Sequence, residues 1–127
     1  MSEENFNKHT DLKARTRTFS LDIIKLYRLL PKTTEAQIMG KQLLRSGTSV
    51  GANTRSAFRG RSKKEFVAKL GIVIEEADES VFWLDLLVSS NILSKDDFIT
   101  NLISEADQLV SIFISVSKRA KENVSTF

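Results

Sequence analysis

The sequence predicts an all-α fold, an antiparallel up-down four-helix bundle, and three observations support this prediction. Apolar residues recur every three or four positions along four long segments, which is the spacing of one helix face. Short stretches with helix start and stop signals separate the segments. The 127 residues include one Pro and five Gly, so few residues interrupt a helix, and no stretch alternates like a strand. Length and pattern together indicate one domain, at residues 11–122, built of four helices.

The first helix is predicted at about residues 11–30, after a flexible tail at residues 1–10. Pro31 ends it, because the residue before a proline disfavours the helical conformation. Its apolar seam, the line of residues that faces the core, comprises Leu12, Phe19, Ile23, Leu26 and Leu30.

The second helix is predicted at about residues 34–59. Thr33 and Thr34 are its candidate caps, with Gln37 in the capping-box position after Thr34. Gly60 follows the helix, where a left-handed glycine commonly ends one. Three more glycines lie inside the helix, namely Gly40, Gly47 and Gly51. Each costs about 1 kcal/mol of helix stability relative to alanine, which indicates that a neighbouring helix packs close to the backbone there.

The third helix, at about residues 63–90, opens with a capping box of Ser62 and Glu65. Its core seam comprises Phe66, Leu70, Val73, Ala77, Val81, Leu84 and Val88. A second apolar set on another side of this helix comprises Ile72, Phe82, Trp83 and Leu86. A helix that is apolar on two sides has more than one partner, so this set predicts a homo-oligomer interface. The alternative is that the N-terminal tail covers one large aromatic side chain.

The fourth helix is predicted at about residues 95–122, and residues 123–127 are expected to be loose. Asn91 closes the third helix, and Ser94 is the candidate cap of the fourth. The core seam of the fourth helix comprises Phe98, Leu102, Ala106, Leu109, Phe113, Val116 and Ala120.

Positive charge is concentrated in one part of the chain, which we call the basic stripe. The stripe comprises Lys41, Arg45, Arg55, Arg59, Arg61, Lys63 and Lys64. The first four fall on one side of the second helix, and the others extend that side around the next turn. Basic groups at helical spacing can meet successive phosphates, so the stripe predicts binding to RNA or DNA. The alternative is a solvated face that acids elsewhere in the fold neutralise.

The two halves of the chain carry opposite charge. Residues 1–69 hold 15 Lys/Arg and 6 Asp/Glu, a net of +9, whereas residues 70–127 hold 4 and 10, a net of −6. This asymmetry is typical of nucleic-acid contact. It also allows a basic helix to lie beside an acidic one, within a subunit or between subunits.

No pattern in the sequence indicates an enzyme. There is no Cys, and His9 is the only His, with no Glu three residues before it. Thiolate sites and the di-iron motif of helical bundles are therefore excluded. Phosphate-binding and nucleophile motifs are absent, so we expect no catalytic residue, no metal and no cofactor. The N-terminus lacks an apolar signal segment and no apolar run reaches about 18 residues, which predicts a cytoplasmic protein without a membrane partner.

Several short motifs resemble those of the 23S rRNA intervening-sequence protein family, over roughly residues 15–120. The most specific segments are Arg45-Ser46-Gly47, Val50-Gly51-Ala52-Asn53, Arg61-Ser62 with Glu65-Phe66, and the aromatic and acidic run from Glu79 to Leu87. One departure is Ser56, which stands where members usually carry an acid shortly after the motif asparagine. If that acid pairs with a neighbouring Arg in relatives, this chain has lost the pair and its basic stripe is more positive.

The resemblance implies a four-helix bundle that assembles into a ring-like homopentamer. The family is also similar to the accessory protein of diversity-generating retroelements, a basic pentameric barrel that binds nucleic acid and a reverse transcriptase. The expected function is a non-enzymatic, homo-oligomeric protein that binds nucleic acid, with structured RNA favoured, through the basic stripe. The alternative is a protein–protein adaptor or scaffold whose stripe meets an acidic partner, or the acidic region 75–85 of a neighbouring copy.

Overall fold

The structure is a bundle of four helices joined by short connecting segments. The computed structural model describes residues 3–125, with side chains described for residues 11–122. The helices are α1 (Glu3–Leu29), α2 (Thr34–Ala57), α3 (Lys63–Ser89) and α4 (Asp97–Ser125), and the described range contains no strand. Helices that follow each other in the chain pack side by side, and α1 also contacts α4. The predicted four-helix bundle is therefore confirmed, and no helix in the described range is long and apolar enough to cross a membrane.

The core lies along the bundle axis, where the predicted seams meet. All five seam residues predicted for α1 are buried. In the other two seams the buried members are Leu70, Val73, Ala77 and Leu84 of α3 and Leu102, Ala106, Leu109 and Phe113 of α4. The buried face of α3 differs from the predicted seam, because Ser80 and Leu87 are buried whereas the predicted Val81 and Val88 are half-buried. Ser80 on this face contacts Ser46 of α2.

Helices α1 and α2 approach each other closely along the glycines of α2, as the sequence predicts. A Cβ atom at Gly47 would lie 2.6 Å from Cγ1 of Ile23, and one at Gly51 would lie 2.5 Å from Oγ of Ser20. Both distances are shorter than a van der Waals contact, so a larger residue at either position requires Ile23 or Ser20 of α1 to shift. Ser20 also donates a hydrogen bond to the carbonyl oxygen of Gly47 at 2.9 Å. These contacts hold α1 against α2 and so set the distance between their side chains.

A buried hydrogen bond fixes the register of α2 against α3. The hydroxyl oxygens of Ser46 and Ser80 lie 2.9 Å apart, and both residues are fully buried. Within the described range, no buried side-chain polar atom lacks a hydrogen-bond partner. The pair therefore satisfies its own polar groups and aligns the two helices at their middle.

Two predicted helix ends are confirmed. The hydroxyl of Ser62 accepts a hydrogen bond from the backbone nitrogen of Glu65 at 3.2 Å. In return, the Glu65 carboxylate accepts from the backbone nitrogen of Arg61 at 3.0 Å, one residue before the cap. At the other end of α3, Asn91 has a φ of 64° in the left-handed region, where the short polar side chain of Asn is tolerated. The helix accordingly ends before it.

Thr33, one of the two caps predicted for α2, is the N-cap residue of that helix, although its side chain makes no capping hydrogen bond. The capping box predicted for α2 and the cap predicted for α4 differ from the structure. Gln37 forms no capping box, because its amide nitrogen donates to the carbonyl of Pro31 and its amide oxygen accepts from the Tyr27 hydroxyl, each at 2.9 Å. Asp96 replaces Ser94 as the cap of α4, since its carboxylate accepts from the backbone nitrogen of Ile99 at 2.9 Å. A carboxylate at this position also interacts favourably with the helix dipole.

The remaining boundaries are shifted as well. Helix α1 begins at Glu3 rather than near Asp11, so that residues 3–10 continue it, and α4 continues to Ser125. Gly60 is not left-handed, because α2 ends earlier, with Phe58 in a right-handed conformation at φ −77°. The outermost parts of the predicted loose ends, residues 1–2 and 126–127, lie outside the described range.

Candidate nucleic-acid interface

The basic stripe is divided in the structure, because Arg45 contacts acids of α3. Its guanidinium donates to Glu76 at 3.0 Å and also to Glu79. The hydrogen bond to Glu79 raises the pKa of Arg45 above its ordinary value, and the charge of Glu76 acts in the same direction. Nε1 of Trp83 donates to the same Glu79 carboxylate at 3.1 Å. Arg45 is therefore paired with acids of α3, as the alternative of a neutralised face describes.

Arg55 and Arg59 border a groove between the first two helices, which we call the α1–α2 groove. Its volume is about 420 Å³, and Lys13 and Arg17 of α1 also line it. Lys13 and Arg17 are four positions apart on α1, which is about 6 Å along its axis. Arg55 lies in the last turn of α2, and Arg59 lies in the turn that follows this helix. Positive side chains from α1 and from the end of α2 therefore border one groove.

Small, uncharged residues form the rest of the α1–α2 groove, namely Ser20, Thr48, Gly51 and Ala52. The hydroxyl of Thr48 donates to the carbonyl of Leu44 at 2.7 Å, and that of Ser20 donates to Gly47. Since each hydroxyl hydrogen is used within the bundle, these residues add no free donor. The groove offers positive charge at its edges and a narrow neutral surface between them.

A second groove, the corner groove, lies where the chain turns from α2 into α3. Its volume is about 290 Å³, and it shares Arg55 and Arg59 with the α1–α2 groove. Arg61 and Lys69 add two further cations, and Glu65 is the one acid in its lining. Arg55 and Arg59 thus stand between two adjoining basic grooves.

We call the basic residues of both grooves the cationic surface, and they are Lys13, Arg17, Arg55, Arg59, Arg61 and Lys69. Among side chains 11–122, interhelical ion pairs join Arg15 to Glu105 and Arg45 to two acids of α3. None of the ion pairs found among side chains 11–122 involves the cationic surface. Positive groups gathered in this way, with Glu65 as the one acid lining either groove, attract anions.

The cationic surface differs from the stripe that the sequence predicts. Lys41 is exposed but lines neither groove, and Lys63 and Lys64 lie beyond the corner groove in the first turn of α3. The sequence prediction missed Lys13 and Arg17 of α1, together with Lys69. The four-residue spacing of Lys13 and Arg17 indicates that they share one side of α1, but it does not show which helix that side contacts.

The four residues predicted to form an oligomer interface do not share one environment. Ile72 and Phe82 are exposed, Phe82 by 52%, whereas Trp83 and Leu86 are half-buried. The Trp83 ring packs against the core and meets the ring of Phe82 edge-on, with 5.0 Å between the ring centroids. The apolar surface that α3 leaves open is therefore centred on Ile72 and Phe82.

The acids of α3 do not form a metal or catalytic cluster. Glu76 and Glu79 contact Arg45, while Glu75 and Asp78 are exposed to solvent. Within the described side chains, no group of three or more His, Cys, Asp or Glu residues could hold a metal ion. These four acids of α3 are thus paired with Arg45 or exposed to solvent.

Comparisons with known proteins agree with the fold and identify the family. The family model of the 23S rRNA-intervening sequence protein matches residues 8–115. A crystal structure of a protein of unknown function from the S23 ribosomal protein family of Bacteroides thetaiotaomicron matches with a TM-score of 0.79 and 32% identity. The match covers 87% of this chain and 98% of that chain. No curated protein matches the chain. Because the family model spans nearly the whole bundle, the chain belongs to the 23S rRNA-intervening sequence protein family.

Proposed function

We propose that this protein is a non-enzymatic, homo-oligomeric nucleic-acid-binding protein, with structured RNA as the favoured ligand. The phosphate backbone of the ligand lies along the α1–α2 groove and passes Arg55 and Arg59 into the corner groove. This position moves the centre of binding from the basic stripe to the cationic surface.

The observation that supports the proposal is the cationic surface. Its six basic side chains come from three parts of the chain and border two adjoining grooves. Guanidinium groups bind phosphates in a planar, often bidentate geometry. Because Lys13 and Arg17 belong to α1, while Arg55 lies on α2 and Arg59 just past its end, a phosphate backbone in the groove meets cations from both sides.

The lining of the grooves favours a backbone over a base as the bound group. No aromatic residue lines either groove, whereas proteins that hold single strands through their bases use aromatic stacking. Phosphate contacts fix position without carrying sequence information. Cations on two packed helices keep a fixed spacing, so they select the shape of the backbone, which is how double-helical RNA is recognised. We therefore expect structured RNA with weak sequence preference.

The family takes its name from an intervening sequence of 23S rRNA, and this name states no ligand. Resemblance to the accessory protein of diversity-generating retroelements adds two elements to the proposal, a homopentameric ring and a reverse transcriptase as a protein partner. The cytoplasmic location expected from the sequence stays part of the proposal.

The salt dependence of binding tests the proposal. A labelled RNA hairpin is titrated with the protein at several KCl concentrations, and fluorescence anisotropy gives the affinity. Roughly four phosphate contacts per subunit predict that log K falls with log salt with a slope of about −3 to −4. An RNA of the same fold and different sequence should give the same slope and nearly the same affinity.

A protein–protein adaptor is the second candidate, and one observation favours it. Arg45, a member of the basic stripe, contacts two acids on another helix, so this stripe can engage acidic protein surfaces. If the protein, freed of co-purified nucleic acid, binds neither RNA nor DNA at low salt, the adaptor function replaces the nucleic-acid function.

A further inference from the structure

A groove between α3 and α4 leaves an aromatic ring open to solvent. The groove has a volume of about 470 Å³, and its apolar lining comprises Val81, Phe82, Val88 and Ile103. Phe82 is 52% exposed, although a phenylalanine usually contributes strongly when it is buried. An exposed aromatic in a groove with an apolar floor is a typical protein-contact surface.

Negative charge surrounds this groove. Asp78 and Asp85 stand four residues before and three residues after Phe82, so they flank it on the same helix. Asp107 of α4 also lines the groove, with Lys95 as the one basic residue. None of the ion pairs found among side chains 11–122 involves these three carboxylates. The α3–α4 groove thus joins an apolar floor to an acidic edge.

Helix α1 carries the opposite combination on its outer side. Leu21, Lys25 and Leu29 follow each other at four-residue intervals, which forms a ridge of the kind that packs into grooves. Arg28 lies beside this row, and together these four residues are what we call the α1 ridge. All four are exposed, Leu21 by 48% and Leu29 by 64%, although the Lys25 ammonium also lies 5.7 Å from the ring centroid of Phe98. The neighbouring acid, Asp22, is half-buried beside the ridge.

We propose that the α3–α4 groove receives the α1 ridge of a second copy of this chain, with Leu21 and Leu29 against the floor around Phe82. The acidic edge of the groove then meets Lys25 and Arg28. This inference rests on the homo-oligomer of the proposed function and names the two surfaces that form it.

Charge complementarity favours this occupant and this arrangement. Two grooves facing each other would bring six carboxylates together, and two ridges facing each other would bring their cations together. Like charges in contact disfavour both two-fold arrangements. Groove-to-ridge contact joins different surfaces of two copies, so the assembly is head-to-tail and closes into a ring where the rotation permits. Arg55, Arg59 and Arg61 belong to neither surface and stay open to a nucleic-acid ligand.

Two charge-reversed variants test the inference. One carries Asp78→Lys with Asp85→Lys in the groove, and the other carries Lys25→Glu with Arg28→Glu on the ridge. Each variant brings like charges together at every contact, so each should lose the assembled mass of the wild type in light scattering after size exclusion. An equimolar mixture should form complexes, because the reversed groove of one variant fits the reversed ridge of the other. The four-substitution chain should recover the wild-type mass.

Other results would overturn the inference. If either variant alone keeps the wild-type mass with unchanged helicity, the substituted surface is not part of the contact. If both lose mass, the mixture forms no complexes and the four-substitution chain does not recover the wild-type mass, the two surfaces do not pair with each other. A monomeric wild type contradicts the oligomeric part of the proposed function as well, whereas the salt dependence of RNA binding tests the nucleic-acid part separately.

Discussion

Reversing the charge of Arg55 and Arg59 should weaken RNA binding about 100-fold or more. The two residues stand between the α1–α2 groove and the corner groove, so the variant Arg55→Glu with Arg59→Glu removes cations from both. A hydrogen bond to a charged group contributes roughly 1.5 kcal/mol or more, and each 1.4 kcal/mol corresponds to about tenfold in affinity. The new carboxylates also repel phosphates. Anisotropy titration with the same RNA hairpin measures the change.

The matched control is Lys32→Glu with Lys41→Glu, which makes the same change in net charge. Both lysines are exposed and neither lines a groove of the cationic surface. This control should bind RNA within a few-fold of the wild type, and both variants should keep helicity and assembled mass. Equal losses in the two variants would mean that affinity follows net charge and not the grooves.

Replacing Gly47 with leucine should destabilise the bundle by about 3 kcal/mol, at the upper end of what overpacking costs. The added Cβ would lie 2.6 Å from Cγ1 and 2.8 Å from Cγ2 of Ile23, which is itself fully buried. Ile23 is branched at Cβ and therefore has little rotamer freedom to move aside. The gain of about 1 kcal/mol in helix propensity offsets only part of this. Urea unfolding at fixed protein concentration measures the loss.

Gly71→Leu is the control for this prediction, because a Cβ atom at Gly71 meets no neighbouring atom within 4 Å. The same substitution there should leave the free energy of unfolding unchanged or raise it by up to about 1 kcal/mol. If Gly47→Leu and Gly71→Leu have the same effect, then α1 does not approach α2 at Gly47 as the structure shows.

Local patterns were sufficient to predict the bundle, because the residues that define it act within one or two turns. Ser62 caps the nitrogen of Glu65 three residues away, and Ile23 belongs to a seam that repeats every three or four positions. Even the close contact at Gly47 could be predicted, since a glycine inside a helix costs stability that only packing offsets.

The cap of α4 and the capping box of α2 were predicted wrongly for different reasons. At the start of α4, several neighbouring residues could serve as the cap. Ser94 and Asp96 are both good caps, and the structure uses the one whose carboxylate reaches the nitrogen of Ile99. Gln37 instead contacts Tyr27, a residue of another helix. No pattern within the α2 sequence could show that Tyr27 would lie there.

The candidate site could be predicted only in part, because it depends on which helices meet. Arg45 contacts acids that lie 31 and 34 residues further along the chain, and the alignment of α2 with α3 brings them together. Likewise, Lys13 and Arg17 join Arg55 and Arg59 only because glycines let α1 lie close against α2. Arg55 and Arg59 could be predicted from the stripe, whereas their partners across the groove could not.

The most direct test of nucleic-acid binding in the α1–α2 groove is a titration of the variant Lys13→Glu with Arg17→Glu. These residues lie on α1, outside the basic stripe that the sequence predicts, and they share the groove with Arg55 and Arg59. RNA in the groove contacts both helices, so this variant should lose about 100-fold in affinity, as the reversal at Arg55 and Arg59 does. If it binds the RNA hairpin as the wild type does, with assembled mass unchanged, the nucleic acid does not lie in the α1–α2 groove.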